Sequence, residues 1–304
     1  MQTILGASGP IGRELALELA RGFTRELRLV SRRPQKVNDG DTLVSADLLD
    51  AAQTARAVAG SDVVYLTAGL PMDTRLWVAE WPVMMRHVLA ACAQHRARLV
   101  FFDNTYMYPQ TSTPQTEATA FAPNGAKGRV RAAIASEMLA WMADGRVDGL
   151  ICRAPEFYGP RGTQSITNTT VLDPLRAGRK ARVFLRDDTR RTLIFSPDAS
   201  RAMARLGNTA DAFGQTWHLP CDDTRPTYRE LVALAAEVFG TAPRYTVVKR
   251  WQLALAGLVN RRARDAAELL PRYAVDNVFV SERFKARFPD FRVTSFREGL
   301  TAMR

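Results

Sequence analysis

The sequence predicts an α/β fold in which a doubly wound parallel sheet is followed by a smaller C-terminal α+β lobe. Through the first half of the 304 residues, short apolar runs alternate with segments of helical period, as in parallel strands joined by crossover helices. A glycine-rich turn directly follows the first apolar run. The alternation loosens after about residue 153. We therefore expect one domain over residues 1–153 and a second lobe over residues 154–304, from which the chain can cross back to the sheet.

The helical segments carry apolar residues at spacings of three and four, so each can lay one face on the sheet. Right-handed crossovers bring the carboxyl ends of parallel strands to one edge, where open α/β sheets bind ligands. We therefore expect any chemistry at that edge. The predicted strands are Thr3–Leu5, Leu27–Ser31, Thr42–Val44, Asp62–Thr67, Leu99–Asp103 and Gly149–Arg153, and the predicted helices are Ile11–Arg21, Asp50–Val58, Leu76–His95 and Lys127–Ala143.

Signals in the second lobe are weaker. The polar run Thr163–Thr170 predicts a loop, because it follows several closely spaced Pro and Gly residues. The other predicted pieces are an apolar run at Arg191–Phe195, a helix from Pro197, a strand near Gln215–Leu219, a helix capped by Thr227 beside Glu230, and a short terminal helix through Leu300.

Composition indicates a folded chain that does not span a membrane. Apolar residues make up 46% and charged residues 24% of the sequence, close to globular averages. The longest apolar candidate, Trp251–Val259, has about half of the roughly 18 residues that a membrane helix needs. The chain opens with a predicted strand and a glycine turn in place of a signal peptide, so we expect a cytoplasmic protein with no membrane partner. Cys92, Cys152 and Cys221 form no CxxC pair, and we expect neither disulfides nor a metal site.

The net charge of +11 raises the question of nucleic-acid binding. Only five of the 42 basic residues are lysines, and the basic residues are spread along the chain instead of being grouped with aromatic residues in one module. We therefore expect no nucleic-acid partner. A small anionic molecule gains from the same field.

The turn Gly6-Ala7-Ser8-Gly9-Pro10-Ile11-Gly12 lies between the first strand and the first helix. Glycines there permit unusual backbone angles and let a diphosphate approach the N–H groups at the helix end. A simple tight turn is the alternative, but it requires only one glycine. The sequence thus predicts a Rossmann-like site for a dinucleotide, with Gly6, Ser8, Gly9, Pro10, Ile11 and Gly12 as binding residues.

The end of the second strand indicates which dinucleotide binds. A carboxylate about 20 residues beyond the glycines would bond the ribose 2′-hydroxyl of NAD. This chain has Ser31-Arg32-Arg33 there, and guanidinium groups suit the 2′-phosphate of NADP. We therefore expect Arg32 and Arg33 to bind NADP in preference to NAD. The alternative is that one or both arginines point into water.

Two further turns belong to the same edge of the sheet. Asp47 and Leu48 follow the third strand, where a carboxylate can accept from an adenine amino group while leucine covers the ring. Ala68 and Gly69 follow the fourth strand, where small residues admit the cofactor backbone. Each pair alone is a weak signal, but together they are consistent with one groove.

These residues resemble the extended or atypical short-chain dehydrogenase/reductase superfamily, in the branch called NAD-dependent epimerase/dehydratase. The resemblance implies a pyridine nucleotide cofactor and a small carbonyl or sugar-like substrate held between the cofactor and the second lobe. It extends over nearly the whole chain and is carried by Gly6 to Gly12, Asp47-Leu48, Ala68-Gly69, Asn104 to Tyr108, Arg153 to Pro160, Thr192 to Asp198, Trp217 to Pro220 and Phe296 to Leu300.

The chain departs from the family at the catalytic motif. Catalytic members use a Ser or Thr with a YxxxK helix, in which the lysine charge stabilises a tyrosinate that exchanges a proton with the substrate. In the predicted helix Lys127–Ala143 and the turn before it, no Tyr precedes a Lys by four residues; the pair with that spacing, Tyr245 and Lys249, lies far away in the second lobe. Counting from Pro123-Asn124-Gly125, Lys127 falls at the tyrosine position and Arg131 at the lysine position.

If this register holds, other side chains must carry the chemistry. Lys127 is a candidate proton donor beside Arg131, and its alternative is an exposed residue of the first helical turn. Asn104 or Thr105 can hold a substrate oxygen by hydrogen bonding. The phenols of Tyr106 and Tyr108 can replace the missing tyrosine, or they can form an aromatic wall of the substrate cleft.

Two functions follow from this comparison. The first is an NADP-dependent oxidoreductase or epimerase-like enzyme acting on a small carbonyl or sugar-like molecule. The second is a non-catalytic NADP-binding redox sensor, which is consistent with the loss of the YxxxK tyrosine. We expect a monomer or a homodimer in either case.

Overall fold

The computed structural model describes residues 1–160, 165–259, 264, 265 and 267–304. In chain order the strands are β1 (Gln2–Leu5), β2 (Leu27–Ser31), β3 (Thr42–Ser45), β4 (Val63–Leu66), β5 (Arg98–Asp103), β6 (Gly149–Arg153), β7 (Glu156–Tyr158), β8 (Ala181–Phe184), β9 (Leu193–Phe195), β10 (Thr216–His218) and β11 (Tyr245–Val248). The α-helices are α1 (Pro10–Gly22), α2 (Ala51–Val58), α3 (Thr74–His95), α4 (Gly125–Ala143), α5 (Asp173–Arg176), α6 (Ser196–Gly207), α7 (Tyr228–Phe239), α8 (Arg250–Val259), α9 (Glu282–Arg287) and α10 (Phe296–Thr301).

The central sheet has seven parallel strands in the order β10-β6-β5-β4-β1-β2-β3. The chain therefore builds outward in one direction from β1 to β3 and in the other from β4 to β6. The predicted doubly wound parallel sheet is confirmed. Its topological switch lies between β1 and β4, which is where such sheets bind ligands.

Helices cover both faces of the sheet, which explains the continuous apolar runs in its strands. Strands β1, β4 and β6 are buried at every residue. Helices α1 and α6 pack on one face, around Leu15, Leu19 and Met203, whereas α2, α3 and α4 pack on the other, around Met85 and Ile134.

The chain returns to the central sheet after residue 153. Strand β10 pairs with β6, with His218 opposite Arg153. The strand expected near Gln215–Leu219 therefore exists, but it is the edge of the central sheet and not part of the lobe. The lobe itself contains two small parallel sheets, β7 with β9 and β8 with β11, packed around α7. The boundary at residue 153 stays a prediction.

The predicted loop at Thr163–Thr170 is wrong for its second half. Residues 161–164 lie outside the described part of the chain, but from Ile166 the backbone is helical and continues as a π-helical turn over Asn168–Leu172. The Ser165 hydroxyl accepts from the Asn168 N–H at 3.1 Å, as a helix cap does. Polar residues that suggest a loop are here capping a helix.

Other local signals are confirmed. Thr227 and Glu230 form the expected capping box at the start of α7, and Ser295 and Glu298 form another at the start of α10.

In the described ranges, no helix is long and apolar enough to cross a membrane. The same residues contain no group of three or more His, Cys, Asp or Glu side chains arranged to hold a metal ion.

Candidate active site

A cleft of about 360 Å³ runs along the carboxyl edge of the central sheet, from the end of β3 to the end of β6. Most of the predicted site residues line it, but the structure leaves four of them, Gly12, Arg33, Tyr108 and Lys127, outside its walls. The predicted residues that line the cleft are Gly6, Ser8, Gly9, Pro10, Ile11, Arg32, Asp47, Leu48, Ala68, Gly69, Asn104, Thr105, Tyr106 and Arg131.

The glycine turn brings the end of β1 into direct contact with the end of β4. Gly6 has a φ of +92°, and a Cβ at that position would lie 2.5 Å from the Ala68 Cα. A Cβ at Gly12 would lie 2.8 Å from the Gly6 carbonyl oxygen. Both glycines are therefore required by close backbone approach, one at the turn and one where α1 meets it.

Helix α1 presents an uncovered N-terminus to the cleft. It begins at Pro10, its N-cap is Gly9, no side chain caps it, and its first turn has no acidic residue. The first N–H groups of a helix have no partner within the helix and carry its positive dipole end. Because Gly9, Pro10 and Ile11 line the cleft, this end fits a diphosphate.

The end of β2 is tied to the glycine turn by hydroxyl groups. The Ser8 and Ser31 hydroxyl oxygens are 2.7 Å apart, and the Ser8 hydroxyl donates to the Arg33 carbonyl at 3.1 Å. The Ser45 hydroxyl donates to the Arg32 carbonyl at 3.0 Å. These bonds fix the backbone from which the Arg32 side chain reaches the cleft, whereas Arg33 stays outside its lining.

The turn after β3 uses Asp47 to hold its own backbone. The Leu49 N–H donates to an Asp47 carboxylate oxygen at 3.0 Å, while Leu48 is buried at the cleft wall. After β4, a Cβ at Gly69 would meet nothing within 4 Å. Gly69 therefore leaves open space at the point where the cleft crosses the sheet.

A buried ionic cluster lies at the end of β5. Asp103 is fully buried, and its carboxylate lies 3.3 Å from Arg131 Nη1 and 3.5 Å from Arg153 Nε. Burial raises the pKa of Asp103, and the two guanidinium groups oppose that shift. Burial likewise lowers the pKa of Arg131. Arg131, which the sequence predicts at the position of the family lysine, is thus paired with a carboxylate, and two guanidinium groups share one anion.

Tyr106 lies within a stack of aromatic rings and guanidinium groups. The Arg131 guanidinium is 4.0 Å from the Trp81 ring centroid and 5.0 Å from that of Trp77. The Trp77 ring stacks on the Tyr106 ring, with 5.9 Å between the ring centroids. The Arg272 guanidinium also lies over the Tyr106 ring, 4.7 Å from its centroid. Burial raises the pKa of the Tyr106 phenol, and Arg272 opposes the shift. The phenol is therefore protonated at neutral pH and can donate its proton.

Asn104 presents Tyr106 to the cleft. Its side-chain oxygen accepts from the Tyr106 N–H at 2.9 Å, and its own N–H donates to Asp103 at 2.8 Å. Thr105 is buried at the cleft wall. The structure thus brings Asn104, Thr105, Tyr106 and Arg131 together, although they come from two different elements.

Lys127 is neither exposed nor on the cleft wall. Its side chain has no exposed surface, and Nζ donates to Thr74 Oγ1 at 2.5 Å, to the Asp265 carbonyl at 2.6 Å and to Glu268 Oε1 at 2.8 Å. Glu268 also accepts from the Ala126 N–H at 2.5 Å, so it caps the start of α4. Lys127 therefore ties α3 and α4 to the segment that carries Arg272, and its role as a proton donor stays a prediction.

Tyr108 lies behind the cleft in a separate buried network. Its hydroxyl accepts from Arg153 Nη1 at 2.8 Å and lies 2.7 Å from His218 Nε2. His218 Nδ1 is 2.7 Å from the Val280 carbonyl, and its ring stacks on Phe279. Burial lowers the pKa of His218 to about 3. The imidazole is therefore neutral, with Nδ1 donating and Nε2 accepting from Tyr108, and a proton role for Tyr108 stays a prediction.

Several cleft residues gave no signal in the sequence. Arg272 and Tyr273 reach the cleft from a short 3₁₀-helical segment more than 100 residues beyond β6. The Tyr273 hydroxyl donates to Glu156 Oε2 at 2.9 Å, and Glu156 also accepts from Thr167. Only the folded lobe brings these side chains to the edge of the sheet.

The sequence matches the model of the NAD-dependent epimerase/dehydratase family over residues 3–218. The chain belongs to this family. The assignment confirms the predicted resemblance and the class of function it implied, that of an epimerase-like member of the extended short-chain dehydrogenases. Comparison with the sequences of curated proteins finds no significant match.

Solved structures of epimerases and dehydratases share the fold along the whole chain. UDP-glucuronic acid 4-epimerase from Bacillus cereus superposes with a TM-score of 0.82 at 14% identity, over 99% of this chain and 97% of that one. UDP-glucose 4-epimerase from Thermus thermophilus has a TM-score of 0.77 at 16% identity, over 100% and 97%. A dTDP-glucose 4,6-dehydratase from Streptomyces venezuelae has a TM-score of 0.78 at 16% identity, over 100% and 95%.

The position of Lys127 generates a prediction about stability. We expect Lys127→Met to lower the free energy of unfolding by about 3 kcal/mol, because it leaves the Glu268 carboxylate without its buried partner. Urea unfolding measures the change. Lys36→Met is the matched control, since Lys36 is exposed, and it should change the free energy by less than about 0.5 kcal/mol. Equal values for the two variants would show that the buried ion pair does not stabilise the fold.

Proposed function

We propose that this chain is a pyridine-nucleotide-dependent oxidoreductase or epimerase-like enzyme that acts on a small carbonyl or sugar-like substrate. One observation carries the proposal. A single cleft joins the uncovered N-terminus of α1 to a buried phenol, Tyr106, on the far side of the topological switch. A dinucleotide-binding end and a proton-exchanging group therefore open into the same space.

The residues of the glycine turn fit a dinucleotide cofactor. Gly6 and Gly12 leave no room for a Cβ, and no side chain covers the helix end that would hold the diphosphate. The similar epimerases from Bacillus cereus and Thermus thermophilus are described as NAD complexes, which supports a pyridine nucleotide here. When bound, the nicotinamide supplies hydride transfer.

Arg32 supports NADP as the preferred cofactor. It lines the cleft where β2 ends, and the neighbouring residue Ser31 bonds to the hydroxyl of Ser8 in the glycine turn. This cluster contains no carboxylate to bond a ribose 2′-hydroxyl. A planar guanidinium matches the oxygens of a 2′-phosphate.

Cofactor preference gives the second prediction. Arg32→Ser should weaken NADPH binding by about tenfold or more and leave NADH binding nearly unchanged, since a charge-assisted hydrogen bond contributes about 1.5–3 kcal/mol. Arg33→Ser is the control, because Arg33 lies outside the cleft lining, and it should have the smaller effect. Fluorescence titration of both reduced nucleotides measures the ratio. A parallel loss for NADPH and NADH would reject the phosphate contact.

Tyr106 is the residue to which we assign proton exchange. Its phenol lines the cleft, and it is flanked by the Arg272 and Arg131 guanidinium groups, which favour the phenolate that forms when the proton leaves. Asn104 and Thr105 lie beside it and can hold the substrate oxygen. Arg131, neutralised in part by Asp103, stays charged at the inner end of the cleft.

The third prediction tests that assignment. Tyr106→Phe should lower kcat at least about 100-fold, the lower end for general acid–base catalysis, while NADPH affinity stays the same. Tyr108→Phe is the matched control, because it removes the same hydroxyl group from a residue outside the cleft lining, and it should retain turnover. The rate of carbonyl reduction is measured as the loss of absorbance of the reduced nicotinamide. If Tyr106→Phe turns over at the wild-type rate, another group moves the proton.

A non-catalytic redox sensor is the second candidate function. It is favoured by the residue at the family tyrosine position, Lys127, whose amino group is held by Thr74 and Glu268 and does not reach the cleft. The two functions are separated by incubating the NADPH-bound protein with aldehydes, ketones, quinones, UDP-glucose and UDP-glucuronic acid. Tight binding without turnover of any of them favours the sensor.

We retain a cytoplasmic location and a monomeric or homodimeric state as part of the proposal. Cys92, Cys152 and Cys221 are all unpaired and buried, as expected in a reducing compartment. Light scattering of the purified protein measures the oligomeric state.

A further inference from the structure

Helix α8 turns an apolar face toward solvent. Trp251 is 63% exposed, Leu255 is 55% exposed and Leu258 is 79% exposed, and the exposed residue Ala254 lies on the same face. These four residues occupy positions i, i+3, i+4 and i+7, so they form one continuous stripe. The helices of a globular protein normally direct such a stripe to the core. Here it faces away from the protein.

A strip of basic residues leads directly to this stripe. In the β8–β11 sheet, Arg182 lies opposite Thr246, and both are exposed because Ala181 and Val183 face the core. No Asp or Glu occurs in residues 177–186 or 240–259. The exposed basic residues of the strip are Arg179, Lys180, Arg182, Arg244, Lys249 and Arg250.

The strip and the stripe are adjacent in the structure, and together we call them the basic-apolar face. Strand β11 ends at Val248 and α8 begins at Arg250, so Lys249 and Arg250 lie at the junction. The Leu185 N–H donates to the Val248 carbonyl at 3.0 Å, which places the end of β8 beside the same junction. The apolar side chains of α8 therefore follow the basic side chains without a break in the chain.

The two acidic residues that follow β8 in the chain, Asp187 and Asp188, are already paired. Asp187 accepts from the Tyr245 hydroxyl at 2.6 Å and from Arg229 Nε at 3.2 Å. Asp188 accepts from Arg186 Nε at 2.8 Å. Neither carboxylate neutralises the exposed cations of the basic strip, so the face keeps its positive charge.

We propose that the basic-apolar face docks the enzyme on an anionic lipid bilayer. Lysine and arginine attract acidic headgroups, and a Trp and Leu stripe enters the boundary between headgroups and acyl chains. This inference goes beyond the proposed function. It differs from the expectation of no membrane partner, which rested on the lack of a spanning segment and of a signal peptide and not on the surface of the protein.

Other occupants fit this surface less well. A symmetric second copy would bring two positive strips together, since a two-fold interface presents the same patch from both subunits. A nucleic acid would use the basic strip, but it would leave the apolar stripe of α8 exposed to water. An anionic bilayer is complementary to both parts at once.

Sedimentation with lipid vesicles tests the proposal. The full-length protein should bind vesicles of phosphatidylcholine mixed with phosphatidylglycerol at least about tenfold more tightly than vesicles of phosphatidylcholine alone, and high salt should release it. Leu258→Glu should weaken the binding to anionic vesicles by a similar factor. Leu43→Glu is the matched control, because Leu43 is a 40% exposed leucine on β3, and it should bind as the wild type does.

Three results would overturn the proposal. The first is no binding of the wild type to anionic vesicles. The second is equal vesicle binding by Leu258→Glu and Leu43→Glu. The third is a dimer or a nucleic-acid complex that Leu258→Glu abolishes while lipid binding is absent, which would assign the face to another partner. Thermal unfolding and NADPH titration of each variant confirm that the chain is folded, and they separate failure of this inference from failure of the proposed function.

Discussion

The close approach of the glycine turn to the end of β4 is the constraint on which the rest of the site depends. It places the N-terminus of α1 at the topological switch of the sheet without any side chain covering it. An uncovered helix N-terminus attracts anions, because its free N–H groups and the positive end of the helix dipole both point toward the ligand. The turns that follow the neighbouring strands line the cleft on either side of this point, and α3, α4 and the lobe complete its walls.

The residues predicted to carry the family motif are held by buried ion pairs near that fixed point. Arg131, which the sequence predicts at the position of the lysine, pairs with Asp103 and packs on tryptophan rings. Lys127, which the sequence predicts at the position of the tyrosine, pairs with Glu268. Tyr106 lies among these groups and opens into the cleft. A guanidinium and a phenol therefore lie at the same cleft, although they come from different positions in the sequence.

The sheet and the glycine turn could be predicted from the sequence because both depend on local signals. Buried parallel strands appear as apolar runs, and the Gly6 to Gly12 turn has its spacing fixed by neighbouring backbone atoms. The role of Lys127 could not be predicted, because its partner Glu268 is 141 residues away. The position of Arg272 depends in the same way on how the lobe folds back over the sheet.

The most direct test of this account is the amide spectrum of isotopically labelled protein during titration with NADPH. We expect the resonances of Gly9, Ile11 and Gly12 to shift in a saturable way, because their N–H groups lie at the helix end to which we assign the diphosphate. Resonances that stay in place at saturating NADPH, or the absence of any binding, would contradict the account.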